Sequence, residues 1–259
     1  MKRILRSFFL IINYKTLLIT VLAVISSEVC FRYDLTAEFP DMLVGVAIVF
    51  PVVFSISAAY NRRETALQRF SDFKGHAITM YYATRDWIYN DKPNDLPDRI
   101  RVLIGDMVRL AREMFTSSHR KEFESNEKKI YDYFSSLSRM TIEMRQLGVQ
   151  STEISRINQY ISKMIIAFDC LKAIHAYRTP ITLRAYSKVF IYIFPIIYGP
   201  YFASTFHDFS SSLEFVMPIL YSFILVSLDN IQDHLEHPFD EVGEDDIRID
   251  EKDIINFMD

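Results

Sequence analysis

Two kinds of hydrophobic pattern alternate along the chain. Residues Tyr14–Val29, Met42–Ala59, Val189–Phe206 and Phe215–Leu228 are nearly continuous apolar runs, and the last three carry no charged side chain. A helix needs about 20 largely apolar residues to cross the hydrocarbon layer of a bilayer, so all four are read as candidate spans. Phe215–Leu228 is the shortest, and a buried helix of a soluble domain fits it too. Within the third run, Pro195, Gly199 and Pro200 interrupt the backbone hydrogen bonding. Such breaks survive in a membrane only where neighbouring protein or water satisfies the freed groups, which predicts a place inside a bundle.

Between the second and third runs the pattern changes to helical amphipathicity. Leu67, Phe70, Phe73, Ala77, Met80, Tyr81 and Trp87 continue the second span as one long helix, and a polar turn follows over Asn90–Pro97. There Asp95 is the expected N-cap, with Pro97 in the first helical turn. Ile100, Leu103, Ile104, Met107, Val108, Ala111, Met114 and Phe115 mark a second helix, and Ile130, Tyr133, Phe134, Leu137, Met140, Met144 and Leu147 a third, ended by Gly148. Ser151 or Thr152 is expected to cap a fourth, built on Ile154, Ile157, Ile161, Met164, Ile165, Phe168 and Leu171. No strand alternation, phosphate loop or internal repeat interrupts this.

The expected fold is therefore all-α: a membrane protein with four transmembrane helices and a cytoplasmic helical bundle. Its divisions are residues 1–60 with the first two spans, 61–178 as the cytoplasmic region, 179–235 with the last two spans, and 236–259 as an acidic tail.

Charge orients the spans. Lys2, Arg3 and Arg6 precede the first and Arg62, Arg63 and Arg69 follow the second, whereas the connector holding Arg32, Asp34, Glu38 and Asp41 is net acidic. Lys and Arg stay on the cytoplasmic side, so both termini are placed inside. The second connector, around His207, Asp208 and Glu214, again lacks Lys and Arg. A signal peptide would share the basic start, but Ser26, Ser27 and Glu28 lead to Cys30 without a small-residue cleavage site, so the first span is read as retained.

Composition narrows the class further. With 21 Phe and 15 Tyr against 6 Gly, the chain is too aromatic for an ordinary acidic soluble helical protein. A net charge of −4, with no basic stripe interleaved with aromatics, argues against nucleic acid. Cys30 and Cys170 form no CxxC motif and are read as free thiols. His76, His119, His175 and His207 lie on separate segments without a nucleophile or metal set, so no enzyme site is expected.

Two separated segments carry a resemblance. Phe54-Ser55-Ile56-Ser57-Ala58-Ala59-Tyr60-Asn61-Arg62-Arg63-Glu64 resembles the Phe, small-polar run, Tyr and Arg signature of the bestrophin pore helix. His237-Pro238-Phe239-Asp240, with acidic residues behind it, is similar to the segment that follows the last membrane helix of that family. Arg178-Thr179-Pro180-Ile181 is a weaker match, just before the third span. The resemblance implies a bacterial inner-membrane ion channel: a homopentamer in the lipid bilayer, passing small monovalent ions, anions such as chloride first, with no cofactor.

It also implies site residues. Val46, Phe50 and Phe54 match the positions that line the membrane neck, and their fourfold spacing places them on one helix face. Ordinary lipid or helix packing gives the same spacing. Pro51 removes the hydrogen bond to the Ala47 carbonyl between them. Ile181 matches a cytoplasmic aperture, although Thr182 stands where relatives carry proline. Animal members hold calcium in the acidic segment after Pro-Phe; here Asp240, Glu241, Glu244, Asp245 and Asp246 have the chemistry, but Val242 and Gly243 interrupt the spacing. The alternative is a solvated acidic segment packed on a neighbour. His234 and His237 at helical spacing are read as facing solvent rather than as a metal pair. Two other readings stay open: a cation-conducting channel, favoured by the acidic connector, and a non-conducting, membrane-anchored interaction protein.

Overall fold

The computed structural model describes residues 13–38, 41–88, 94–177, 180–206, 213–243 and 245–258. Among them the elements are α1 (Tyr14–Arg32), α2 (Asp41–Asp86), α3 (Leu96–Thr116), α4 (Arg120–Gln146), α5 (Ser151–Ala176), α6 (Ile181–Ile197), α7 (Gly199–Phe206), α8 (Leu213–Leu235) and the short α9 (Lys252–Ile255), with no strand. They form two compact units. One is made of the described residues of Met1–Arg63 and Arg178–His237, the other of those of Glu64–Tyr177 and Pro238–Asp259, and α2 contributes to both.

In the first unit, α1 begins on a reciprocal cap. Asn13 Oδ1 accepts from the Lys15 and Thr16 amides at 2.9 and 3.2 Å, and the Asn13 amide donates to Thr16 Oγ1. The small core joins Ile19 of α1, Val52 of α2, Ile191 of α6, and Leu225 and Val226 of α8. Outward-facing positions of these helices are apolar as well: Leu17, Val21, Val189, Ile193, Ile219 and Ile224 are all exposed. A helix apolar on both faces belongs in an apolar medium. Tyr14–Arg32 and Phe215–Leu235, at 19 and 21 residues, are each long and apolar enough to cross a membrane.

The third candidate span is two helices, starting earlier than expected at Ile181 and breaking at Tyr198. Pro200 has no N–H to give the Ile196 carbonyl four residues back. Ser26 of α1 supplies the missing donor, its Oγ lying 2.7 Å from Ile196 O. Gly199 makes this approach possible, since a Cβ there would lie 2.4 Å from Ser26 Oγ. The fourth span likewise runs past its apolar stretch, to Leu235.

The second unit has one continuous core. Phe70, Phe73, Met80, Ile104, Met107 and Met114 meet Phe134, Leu137, Met144, Met164 and Phe168 within it. Leu67 departs from the expected stripe and is exposed, because burial on α2 in this unit starts from Ala66. Asp95 makes no side-chain cap; Asn94 Oδ1 accepts from the Leu96 amide at 3.0 Å instead. Residues 89–93 of the expected turn lie outside the described residues. Ser151 and Thr152 are already helical and the N-cap is Gln150, without a side-chain hydrogen bond. Gly148 does end α4, with φ +95 and its amide on Arg145 O.

The tail is not a separate acidic segment. Phe239 stacks on Phe115 with centroids 4.9 Å apart, and Ile247, Ile249, Ile254 and Met258 are buried in the same core. It closes on itself where the Ile247 amide donates to Pro238 O at 2.8 Å. Its polar rim binds too, Arg112 gripping Glu241 through two bonds of 2.7 and 2.9 Å.

Candidate functional site

On α2 the sequence-derived neck residues share one outward face. Val46, Phe50 and Phe54 are 45%, 55% and 60% exposed, while Val52, Ser55 and Ala59 on the other side of the helix are buried. The Phe50 and Phe54 rings lie 6.0 Å apart between centroids, tilted by 32°. Pro51 stays inside the continuous helix, half-buried. The result is an apolar stripe with an aromatic pair, backed by a packed face and exposed among the described residues.

Ile181 is the first residue of α6, 74% exposed and preceded by Pro180 as N-cap. Arg178 and Thr179 lie outside the described residues.

Beside it runs a feature that sequence reading missed. Arg184, Lys188 and Tyr192 of α6 face Glu236, just past the end of α8, and Asp233 and Asp229 of α8 in antiparallel register. Arg184 Nη1 is 2.9 Å from Glu236 Oε2, and Lys188 Nζ is 3.0 and 3.1 Å from the two oxygens of Asp233. Lys188 also approaches Asp229 Oδ1 at 3.8 Å, and the Tyr192 hydroxyl donates to Asp229 Oδ2. From α1, Lys15 reaches Asp233 at 3.7 Å and Asn13 donates to Asn230 Oδ1 at 2.8 Å. Asp229 and Glu236 are fully buried. The signal was present in the spacing of Asp229, Asp233 and Glu236, one helix face at the end of an apolar run, and of Arg184 and Lys188.

In the second unit two of the acidic residues, Asp240 and Asp246, face one another. The Asp246 carboxyl, half-buried and hydrogen-bonded to Asp240, is pushed up to about 7 by burial and by that neighbour, although the Gly243 amide donates to it at 2.8 Å. Arg112 holds the Glu241 carboxyl below the usual carboxylate range. Glu244 lies outside the described residues, and among those described no group of three or more His, Cys, Asp or Glu is placed to hold a metal. Calcium wants six to eight oxygens, more than Asp240 and Asp246 supply by themselves. Nor do the histidines converge: His76 stacks on Tyr160, His175 lies against Phe115 and Phe123, and His237 Nδ1 meets the Asp233 carbonyl of its own turn. His207 lies outside the described residues.

Solved structures share this architecture. A bacterial bestrophin homolog from Klebsiella pneumoniae matches over 95% of this chain and 97% of that one, with a TM-score of 0.73 at 15% identity. The fold is that of the bacterial bestrophins. A single-residue variant of a bacterial bestrophin homolog from the same organism gives a TM-score of 0.76 over 94% of each chain at 14% identity. A structure described only as a membrane protein gives 0.77 over 95% and 97% at 13% identity. No protein-family model and no curated protein matches the sequence. At such identities the likeness is one of fold, and that fold puts the bestrophin-like segments in context. Phe54–Glu64 lies within α2, Ile181 opens α6, and Phe239 follows α8 into the core of the second unit.

Proposed function

We propose that this chain is one subunit of a bestrophin-type ion channel, a homopentamer in which α2 of each copy lines a narrow membrane neck. The observation that carries the reading is the outward stripe of Val46, Phe50 and Phe54 on a helix whose opposite face is packed, in a chain with the bestrophin fold. Five such stripes about an axis make three apolar collars in series. An apolar collar either sheds its water and blocks ions or widens and wets, which is a gate. The Phe50 and Phe54 rings can turn their electropositive edges to a passing anion, so chloride and similar monovalent anions are the preferred cargo. Ile181, exposed at the head of α6, supplies a second, single-residue aperture. The channel resides in a bacterial inner membrane with both termini inside, a placement that follows from the Lys and Arg distribution. It is a pore and not an enzyme.

One observation favours a second cargo. Asp34 and Glu38 in the connector after α1 are exposed and would concentrate cations at the outer mouth. Reversal potentials of purified protein in planar bilayers with asymmetric sodium chloride decide between the two. A shift toward the chloride equilibrium potential supports the anion reading, and a shift toward that of sodium replaces it with the cation reading. A monodisperse monomer that stays electrically silent would overturn the channel itself and leave an interaction protein.

A further inference from the structure

We propose that the charged seam between α6 and α8 is the positioning element for Ile181, so that Lys188 and Asp233 control ion passage without touching the ion. The inference rests on the channel reading above.

The argument starts from what does not hold the head of α6. Ile181 is 74% exposed and the helix start has no side-chain cap. Thr182, Ala185 and Tyr186 are exposed too. The first fully buried side chain of α6 is Ser187, whose hydroxyl finds no hydrogen-bond partner among the described residues, and the first buried apolar one is Ile191. Core packing therefore grips this helix from Phe190 and Ile191 onward, about two and a half turns beyond the aperture residue, with only Leu183 half-buried among the apolar residues before them. Over those turns the polar contacts are ion pairs, continued by a hydroxyl hydrogen bond. Arg184 to Glu236, Lys188 to Asp233 and Tyr192 to Asp229 are successive rungs, one helical turn apart on α6 and running the opposite way on α8.

Rungs of this kind fix more than proximity. A slide of α6 by one turn would take the Tyr192 hydroxyl from buried Asp229 and the Arg184 charge from buried Glu236, to which Gln232 also donates, and a buried carboxylate that loses its counter-ion is costly. Asp233 is the hub, shared by Lys188 of α6 and Lys15 of α1, so three helices are indexed at one carboxylate. Lys188 in turn bridges two acids. The register set there is transmitted along the rigid first turns of α6 to Ile181.

The test uses the full-length protein in planar bilayers, where single-channel conductance is read per channel and does not depend on how much protein folds. Lys188→Met should change conductance by about two- to tenfold, and adding Ile181→Ala to it should give less than the effect of Ile181→Ala alone, as coupled sites do. Lys188→Arg should restore the native value. Asp233→Asn, isosteric and at a partly exposed site, is the second variant and should act in the same direction. In parallel, a nitroxide carried by Ile181→Cys, in protein with Cys30→Ala and Cys170→Ala, should be more mobile in both seam variants. Unchanged conductance in both, with the native channel active, overturns the positioning role and leaves the channel reading standing. If the native protein is silent, the channel reading falls, and the nitroxide alone judges whether the seam holds the head of α6. An unaltered spectrum then overturns that as well.

Discussion

Replacing Asp246 by asparagine should stabilise the second unit above neutral pH and leave it unchanged in acid. The Asp246 carboxyl lies half-buried against Asp240, and its pKa stands at about 7 instead of the ordinary 3.8. The folded state thus holds its proton more tightly than the unfolded chain does. No penalty exists below about pH 3, where both states are protonated; it grows as pH rises through about 4, and is complete above about 7, where two carboxylates face one another. Unscreened, the difference corresponds to ~4 kcal/mol. With the carboxyl half exposed, solvent screening reduces it to about 1–2 kcal/mol. The Asp246→Asn side chain would keep the native contacts, since its carbonyl can accept from the Gly243 amide and its amide can donate to Asp240 as the protonated acid does. Trp87, the single tryptophan, packs against the same core, so its fluorescence reports unfolding of this unit in the intact protein. Melts of native and Asp246→Asn protein at about pH 3 and about pH 8.5, at one heating rate, should coincide in acid to within a degree or so. At alkaline pH they should separate by about 2 to 8 °C in favour of the variant. A gap of the same size at both pH values would refute the shared-proton account.

Phe50→Ala and Phe54→Ala should each raise single-channel conductance and reduce the chloride-to-sodium permeability ratio; unchanged currents in both would remove these residues from the neck. Phe168→Ala, which empties a position packed by Phe115, Tyr131 and Phe134, should cost about 3–5 kcal/mol, read as a lower melting temperature in the Trp87 signal. Gly199→Ala forces a methyl into Ser26 and should destabilise the first unit by about 1–3 kcal/mol. Faster loss of the proposed pentamer on heating in detergent is the readout, and an unaltered rate would deny the close approach. Millimolar calcium should leave the melting temperature in place, and a clear rise would show that Glu244 and Asp245 complete an oxygen cage around Asp240 and Asp246.

The parts legible in the sequence are those where one physical preference acts along a single helix. Continuous apolar runs announced α1, α2, α6 and α8, and helical periodicity picked out Met107, Phe134, Met164 and Phe168 for one core. Proline chemistry announced the break after Ile197 and even the need for a foreign donor, although nothing in the local pattern named Ser26. What escaped was decided between segments distant in the chain. Asp240–Asp246 read as an acidic tail, yet Ile247, Ile249, Ile254 and Met258 behind it join the core built around α3, and only that packed core shows that there is room for them. Lys188 and Asp233 are 45 residues apart. Each alone looks like a charge misplaced at the edge of an apolar run, and in a low-dielectric setting such a charge is tolerated only with its partner in place. Two misfits of opposite sign on neighbouring spans are therefore a stronger sequence signal than either one. The neck stripe is the opposite case. Val46, Phe50 and Phe54 look alike whether they face lipid, a sister helix or an ion, because what distinguishes those surroundings lies outside the chain. Such residues acquire their role only from assembly, which is why conductance, rather than the geometry of one subunit, has to judge them.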